Sequence, residues 1–326
     1  MPVWLVLAVL RVGLSRSVPD FLATLVGLLP QYSAGTAGFL LARRTASFVS
    51  LMRHVRLLAE DVEDAVGEVR REVQEATGRC AELVRFVRRA FTVYMTSGMS
   101  MIVTQQIVAG PPAPTIGEER SHAHVLVHIN ETIKWMFYAV SYFALWVLLA
   151  TTLLAFNGMY NVLERRMSRA HGYRQVLAAA RLHHDLLSLQ AELRDVTFGP
   201  MLHVLAGALV VPLINTYQVL RGVANVFSLL TFSTLPFVFG TLSLLADGIE
   251  VRSERFSLEA LSGSDVLGEP LAASKLRLMM IARANGHHGR SSGGFSMRGF
   301  GPLNRPAAFS TLHRWYQYLQ LLMGSS

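Results

Sequence analysis

The sequence predicts an all-α fold: a polytopic transmembrane bundle of seven helices with the amino terminus inside. Three observations carry this reading. The 326 residues are 52% hydrophobic and only 16% charged, with a mean hydropathy of +0.36, whereas a soluble domain carries about 25% charged residues. The charges gather in three long stretches and nearly vanish between them, as in a chain of alternating spans and loops. The basic residues also favour one side. Residues 43–89 hold ten Arg, 164–195 hold six, and 247–305 hold eight Lys plus Arg, while the intervening loops carry only Arg16, Arg120, Lys134 and Arg221.

Cytoplasmic loops carry the excess of positive charge, so the three basic stretches are assigned to the inside. With one span ahead of Val18 the count is seven and the carboxyl terminus lies outside, the reverse of a G-protein-coupled receptor. The net charge of +8 then reflects orientation in the bilayer, and nucleic acid is not expected as a partner. Cys80 stands alone and forms no internal disulfide.

Each element follows from the rule that a crossing helix needs about 20 mostly apolar residues. Met1 to Leu14 reads as the second half of a first span, which implies a truncated start; the alternative, a signal peptide, lacks a charged leader before the apolar run. Val18 to Leu41 is the second span, with Pro30, Gly35 and Gly38 marking a kink or close packing. The cytoplasmic extension at 43–90 follows, and from Phe48 to Arg89 it reads as a long amphipathic helix that extends the membrane helices into water. Phe91 to Ala109, rich in Met and Thr, is the third span, and Pro111, Pro112 and Pro114 open a loop running to about Thr132. Ile133 to Tyr160 is the fourth span and the clearest.

The first part of the chain, 1–160, therefore holds spans one to four. The second, 161–326, holds a second amphipathic block from Glu164 to Asp195, then spans at Phe198 to Leu220 and Val223 to Ala246, separated by Arg221 and Gly222. A polar stretch from Asp247 to Arg298 follows and ends in a Gly/Ser/His-rich loop.

The last helix is expected over 306–323. Asn304 suits an N-cap and Pro306 a first turn, and 18 residues rise about 27 Å, nearly a bilayer. His313, Gln317, Gln320 and Gly324 fall at i, i+4, i+7 and i+11, making one polar stripe, with Phe309, Leu312, Tyr316, Leu319 and Met323 placed opposite. Polar groups at membrane depth face a water-filled path or another helix. Both readings, pore lining and interhelical hydrogen bonding, are open on spacing alone.

At this helix the sequence resembles the insect odorant receptor family. The resemblance rests on Pro302-Leu303-Asn304 after a glycine- and phenylalanine-rich approach, then Ser310, Thr311, Leu312, Tyr316, Tyr318, Leu321 and Leu322. Two further stretches are similar to the family. One is His183-His184-Asp185-Leu186-Leu187 through Glu192-Leu193 to Phe198 and Pro200, and the other runs from Ser253-Glu254 to Lys275-Leu276 and Leu278-Met279. The match covers the carboxyl-terminal half, and the rest agrees by topology only.

The resemblance implies an odorant-gated, non-selective cation channel, a hetero-tetramer with the family's odorant co-receptor, in the plasma membrane of olfactory sensory neurons. It implies that the seventh helices surround the pore, so that His313, Gln317, Gln320, Leu321 and Gly324 line it. The gate falls near Leu321, Gly324 and Ser325, where Gly324 and Ser325 are smaller than the family's usual residues. The cytoplasmic ends of spans four to seven would form the anchor between subunits.

A small volatile hydrophobic ligand needs an apolar, aromatic-lined cavity, which the family places between spans two, three, four and six. The orientation above puts Phe21, Leu25, Met99, Met101, Trp135, Tyr138, Tyr142 and Phe227 there. Methionine adapts to varied ligand shapes, while aromatic residues near span ends also form interfacial belts against membrane lipid.

Other signals are weaker. Asn130-Glu131-Thr132 is a glycosylation sequon on the outer side. His122, His124 and His128 lack a metal-site pattern, and neither a metal nor another cofactor is expected. With no phosphate loop and no paired carboxylates within a span, the chain does not read as an enzyme. A gustatory receptor of the same superfamily is the alternative, although that branch's closing signature is absent. A membrane transporter would show internal repeats, and none is found.

Overall fold

The computed structural model describes residues 35–64, 120–222, 234–262, 270–290, 296–297 and 301–324, with residues 32, 33, 78, 82, 85, 86, 88, 89, 92, 93, 96 and 100. Among these the chain is helical except for one short hairpin. Helical residues 35–43 lead into α1 (Thr45–Asp64). Then come α2 (Arg120–Ser168), α3 (Tyr173–Leu220), a π-helical stretch (Leu235–Gly240), α4 (Thr241–Ser262) and α5 (Leu271–Arg290). Strands β1 (Ser296–Met297) and β2 (Gly301–Pro302) pair antiparallel, with Ser296 opposite Pro302, and lead into α6 (Arg305–Gly324).

The two long helices explain the blockwise charge. α2 has 49 residues and α3 has 48, about 70 Å each at helical rise, against a hydrocarbon core of about 30 Å. Each joins one apolar stretch to one amphipathic stretch without a break. Both α2 from Val140 onward and α3 hold windows long and apolar enough to cross a membrane. The turn between them needs Gly172 at φ +78°, and Gly222 at φ +70° closes α3, a conformation that L side chains rarely adopt. The Arg221–Gly222 break is where the sequence places it, with Gly222 N–H donating to the Val219 carbonyl at 3.0 Å.

Three local expectations are corrected. The loop expected to reach Thr132 ends earlier, because α2 begins at Arg120; after Pro114 and Gly117 nothing in 120–132 breaks a helix. Asn130 consequently lies on a helix rather than in a loop. The Gly/His segment 286–290, expected as loop, forms the last turns of α5; its glycines lower helix propensity without excluding a helix. The run expected as one continuous helix over 223–246 is π-helical at Leu235–Gly240. Pro236 lacks the amide donor that a regular turn would use there.

The core is continuous from the apolar ends of α2, α3 and α4 into their amphipathic ends. α2 packs along α4 and α3, and α5 closes against α3 and α4. Phe48, Leu51 and Val55 bury one face of α1 against α3, where His54 Nδ1 also lies 3.8 Å from Glu192. Within this end the polar groups are tied to neighbouring helices. Buried Arg277 donates from Nη2 to the Ala170 carbonyl in the α2–α3 turn at 2.9 Å. Tyr160 donates to Gln190 Oε1 at 2.7 Å, and His183 lies over Phe256 with ring centroids 4.6 Å apart. These helix ends therefore pack on one another rather than standing singly in water.

Candidate functional site

The last helix is seated by two acidic residues one turn apart on α4. Asn304 caps α6 as its sequence position predicts, its Oδ1 accepting from Ala307 N–H at 3.0 Å. The Asn304 amide donates to Glu250 Oε2 at 3.1 Å. Asp247 holds the next residue twice: Oδ1 accepts from the Arg305 backbone N–H at 2.9 Å, and Oδ2 lies 2.8 Å from Arg305 Nε. A carboxylate at a helix amino terminus faces the positive end of the dipole and is stabilised by about 0.3–1 kcal/mol, more when partly buried. The Asp247 side chain is only 8% exposed while that of Arg305 is 63% exposed, so the seat is a buried carboxylate gripping an exposed helix start.

From there α6 touches the bundle along one face. Ala308, Leu312 and Trp315 pack against the core, Leu319 is buried, and Leu322 is half-buried. Trp315 Nε1 donates to the Leu209 carbonyl at 2.9 Å. The bundle-facing side thus runs through Leu312 and Leu319 as expected, while Phe309, Tyr316 and Met323 flank it and stay exposed.

The polar stripe lies on the other side. His313, Gln317, Gln320 and Gly324 are all exposed, and at 3.6 residues per turn their mean direction is roughly 150° from the packed face. Gln317 Nε2 and His313 Nε2 lie 3.1 Å apart, so the stripe is internally linked. Leu321 is 66% exposed. A helix that leaves this stripe and the side chains of Phe309, Tyr318 and Leu321 exposed is incompletely buried in one copy of the chain.

A half-open apolar groove of about 540 Å³ lies beside the seat, lined by Leu235, Pro236, Phe239, Leu244, Phe309 and Leu312 among others, with Arg305 at its edge. Sequence reading did not find it, because its walls come from segments some 70 residues apart.

Of the residues expected around a ligand, Phe21, Leu25, Met99, Met101 and Phe227 lie outside the described residues. Trp135 and Tyr138 lie on α2 with side chains outside those described. Tyr142 is buried, and its hydroxyl donates to the Val204 carbonyl of α3 at 2.7 Å. Its ring meets Phe143 edge-on at 5.6 Å, and Phe143 meets Trp146 at 6.1 Å. Trp146 then donates to Thr241 Oγ1 at 2.9 Å, so one aromatic run ties α2 to α3 and α4.

No family model and no curated protein matches the chain. Solved structures do. The insect olfactory receptor OR5 from Machilis hrabei superimposes with a TM-score of 0.70 over 98% of this chain and 85% of that one, at 11% identity. The same receptor in complex with eugenol gives 0.72 at 12% identity, with the same coverage. The chain has the fold of an insect olfactory receptor. That fold is a seven-helix transmembrane bundle, and in it α6 is the closing helix, seated on α4 and packed against α3.

Proposed function

We propose that this chain is an odorant receptor subunit, an odorant-gated, non-selective cation channel formed as a hetero-tetramer with the family co-receptor. The observation that carries the proposal is the last helix. Its polar stripe points away from its own bundle, as a helix lining a shared aqueous path requires. Interhelical hydrogen bonding within the subunit, the competing reading of that stripe, lacks support among the described residues because the stripe is on the exposed side.

Around a central axis, α6 and the matching helices of the other subunits would enclose the path that the stripe, Leu321 and Gly324 face. The orientation follows from the arginine asymmetry, with the amino terminus inside, α1, α5 and the first half of α3 (to about Asp195) cytoplasmic, and α6 running outward to its carboxyl end. The plasma membrane of olfactory sensory neurons is the proposed location.

The ligand is a small volatile hydrophobic molecule, in keeping with a receptor of the same fold that was solved in complex with eugenol. Phe21, Leu25, Met99, Met101, Trp135, Tyr138, Tyr142 and Phe227 are proposed to surround it. Tyr142 would offer its ring rather than its hydroxyl, which α3 already holds. Asn130 remains a proposed glycosylation site, on the helical start of α2.

Co-expression with the co-receptor and recording of currents over a volatile panel tests the reading. Odorant-evoked cation current that needs both chains supports it; no current across the panel from surface-expressed protein overturns it.

A further inference from the structure

The seat of α6 sits where α4 is fixed from both sides. On one side, Asn157 of α2 donates from Nδ2 to the Leu245 carbonyl at 2.7 Å and to its own Leu153 carbonyl at 3.1 Å. There the helices approach so closely that a Cβ on Gly248 would stand 2.6 Å from Asn157 Oδ1. On the other side, within the same turn, Asp247 and Glu250 hold Arg305 and Asn304. A displacement of α2 against α4 therefore reaches the amino terminus of α6 through about one helical turn.

We propose that Asp247 and Arg305, with Glu250 and Asn304 beside them, are positioning residues that fix where the pore helix begins and set how far odorant binding must move it. This rests on the channel reading above. The physical case is the burial of Asp247. A buried carboxylate is costly unless its acceptor capacity is filled, and both of its oxygens are filled by one residue, Arg305. Beyond this seat, α6 is held by Trp315 and by one apolar face. Its starting point is set by the acidic pair, and its far side is exposed.

The two partners are unequal, which makes the claim testable. Removing the Arg305 side chain leaves its backbone N–H on Asp247, whereas removing the Asp247 carboxylate breaks both bonds. Three variants, Asp247→Ala, Arg305→Gln and the double, are compared with Asp247→Glu as the conservative control. Two measurements are made on the full chain. One is amide hydrogen exchange over residues 305–308 in purified protein, read at Arg305, Ala307 and Ala308 because Pro306 has no amide hydrogen, and it needs no ligand. The other is odorant-free current and the current evoked by a volatile panel including eugenol, from surface-expressed subunits with the co-receptor.

Asp247→Ala is expected to speed exchange at 305–308 by about tenfold or more while sparing the middle of α2. It should also shift the half-maximal volatile concentration by about fivefold or more. Arg305→Gln should do less, the double should match Asp247→Ala, and Asp247→Glu should recover most of the wild-type behaviour. Wild-type exchange at 305–308 in Asp247→Ala, or additive effects of the two substitutions, overturns the proposal. If the unmodified chain carries no odorant-evoked current, the channel reading fails, and the exchange measurement alone decides whether Asp247 positions the helix.

Discussion

Gly248→Ala puts the α2–α4 crossing under a calculable load. The added Cβ would lie 2.6 Å from Asn157 Oδ1, 3.3 Å from Cγ and 3.4 Å from Nδ2. Asn157 has little room to withdraw, being 9% exposed and held by two backbone carbonyls. Forcing a methyl into such a contact costs about 1–3 kcal/mol, and losing the Leu245 hydrogen bond costs about 1 kcal/mol more. Alanine gains about 1 kcal/mol over glycine as a helix former. The net expectation is a loss of about 2 kcal/mol. That corresponds to several degrees in the thermal midpoint of detergent-solubilised protein.

The sign should invert once Asn157 is gone. In an Asn157→Ala background the methyl has space, only the propensity gain remains, and Gly248→Ala should stabilise by about 1 kcal/mol. The interaction between the two substitutions is thus about 3 kcal/mol, at the upper end for residues in contact. The assay is thermal unfolding of the four proteins followed by loss of the monodisperse peak. Equal destabilisation by Gly248→Ala in both backgrounds would show that the methyl meets something other than Asn157 and refute the reasoning.

Two further outcomes follow from hydrogen bonds that tie helices together. Tyr142→Phe removes the bond to the Val204 carbonyl and should lower stability by about 1 kcal/mol, read as a lower thermal midpoint. The half-maximal odorant concentration should change less than twofold, and a large change would put the hydroxyl on the ligand instead. Trp315→Phe keeps an aromatic side chain but loses the donor to Leu209 and part of the indole's packing, so hydrogen exchange across residues 309–319 should rise with little effect on α2; unchanged exchange would remove Trp315 from the seating of α6.

How much was legible in the sequence depends on the range of the interaction. The closing helix was readable to within a residue at each end because its signals are local: Asn304 caps it, and its stripe recurs at helical spacing. Likewise the Arg221–Gly222 break announces itself through a glycine that the turn requires at positive φ. The start of α2 was missed because prolines at 111–114 mark where a loop begins but say nothing of where it ends. Nor could periodicity reveal the π-helical stretch at Leu235–Gly240, since one proline in an apolar run also fits a kinked span.

The candidate site divides in the same way. The stripe of His313, Gln317 and Gln320 was visible in sequence, and its exposure on the side away from the bundle required the fold. Asp247 was not singled out, because an acidic residue at the end of an apolar run reads as a boundary. Its role depends on Arg305, 58 positions later, and only packing brings the two together.

The central claim is that the exposed side of the last helix lines an odorant-gated ion path. Its most direct test is cysteine accessibility in the co-expressed channel, in a Cys80→Ser background, using a membrane-impermeant thiol reagent from outside. Gln317→Cys and Leu321→Cys should lose odorant-evoked current on exposure to the reagent, while Leu319→Cys, on the buried face, should keep it. Block at residue 319 with unchanged current at 317 and 321, in channels that respond to odorant, would contradict the account.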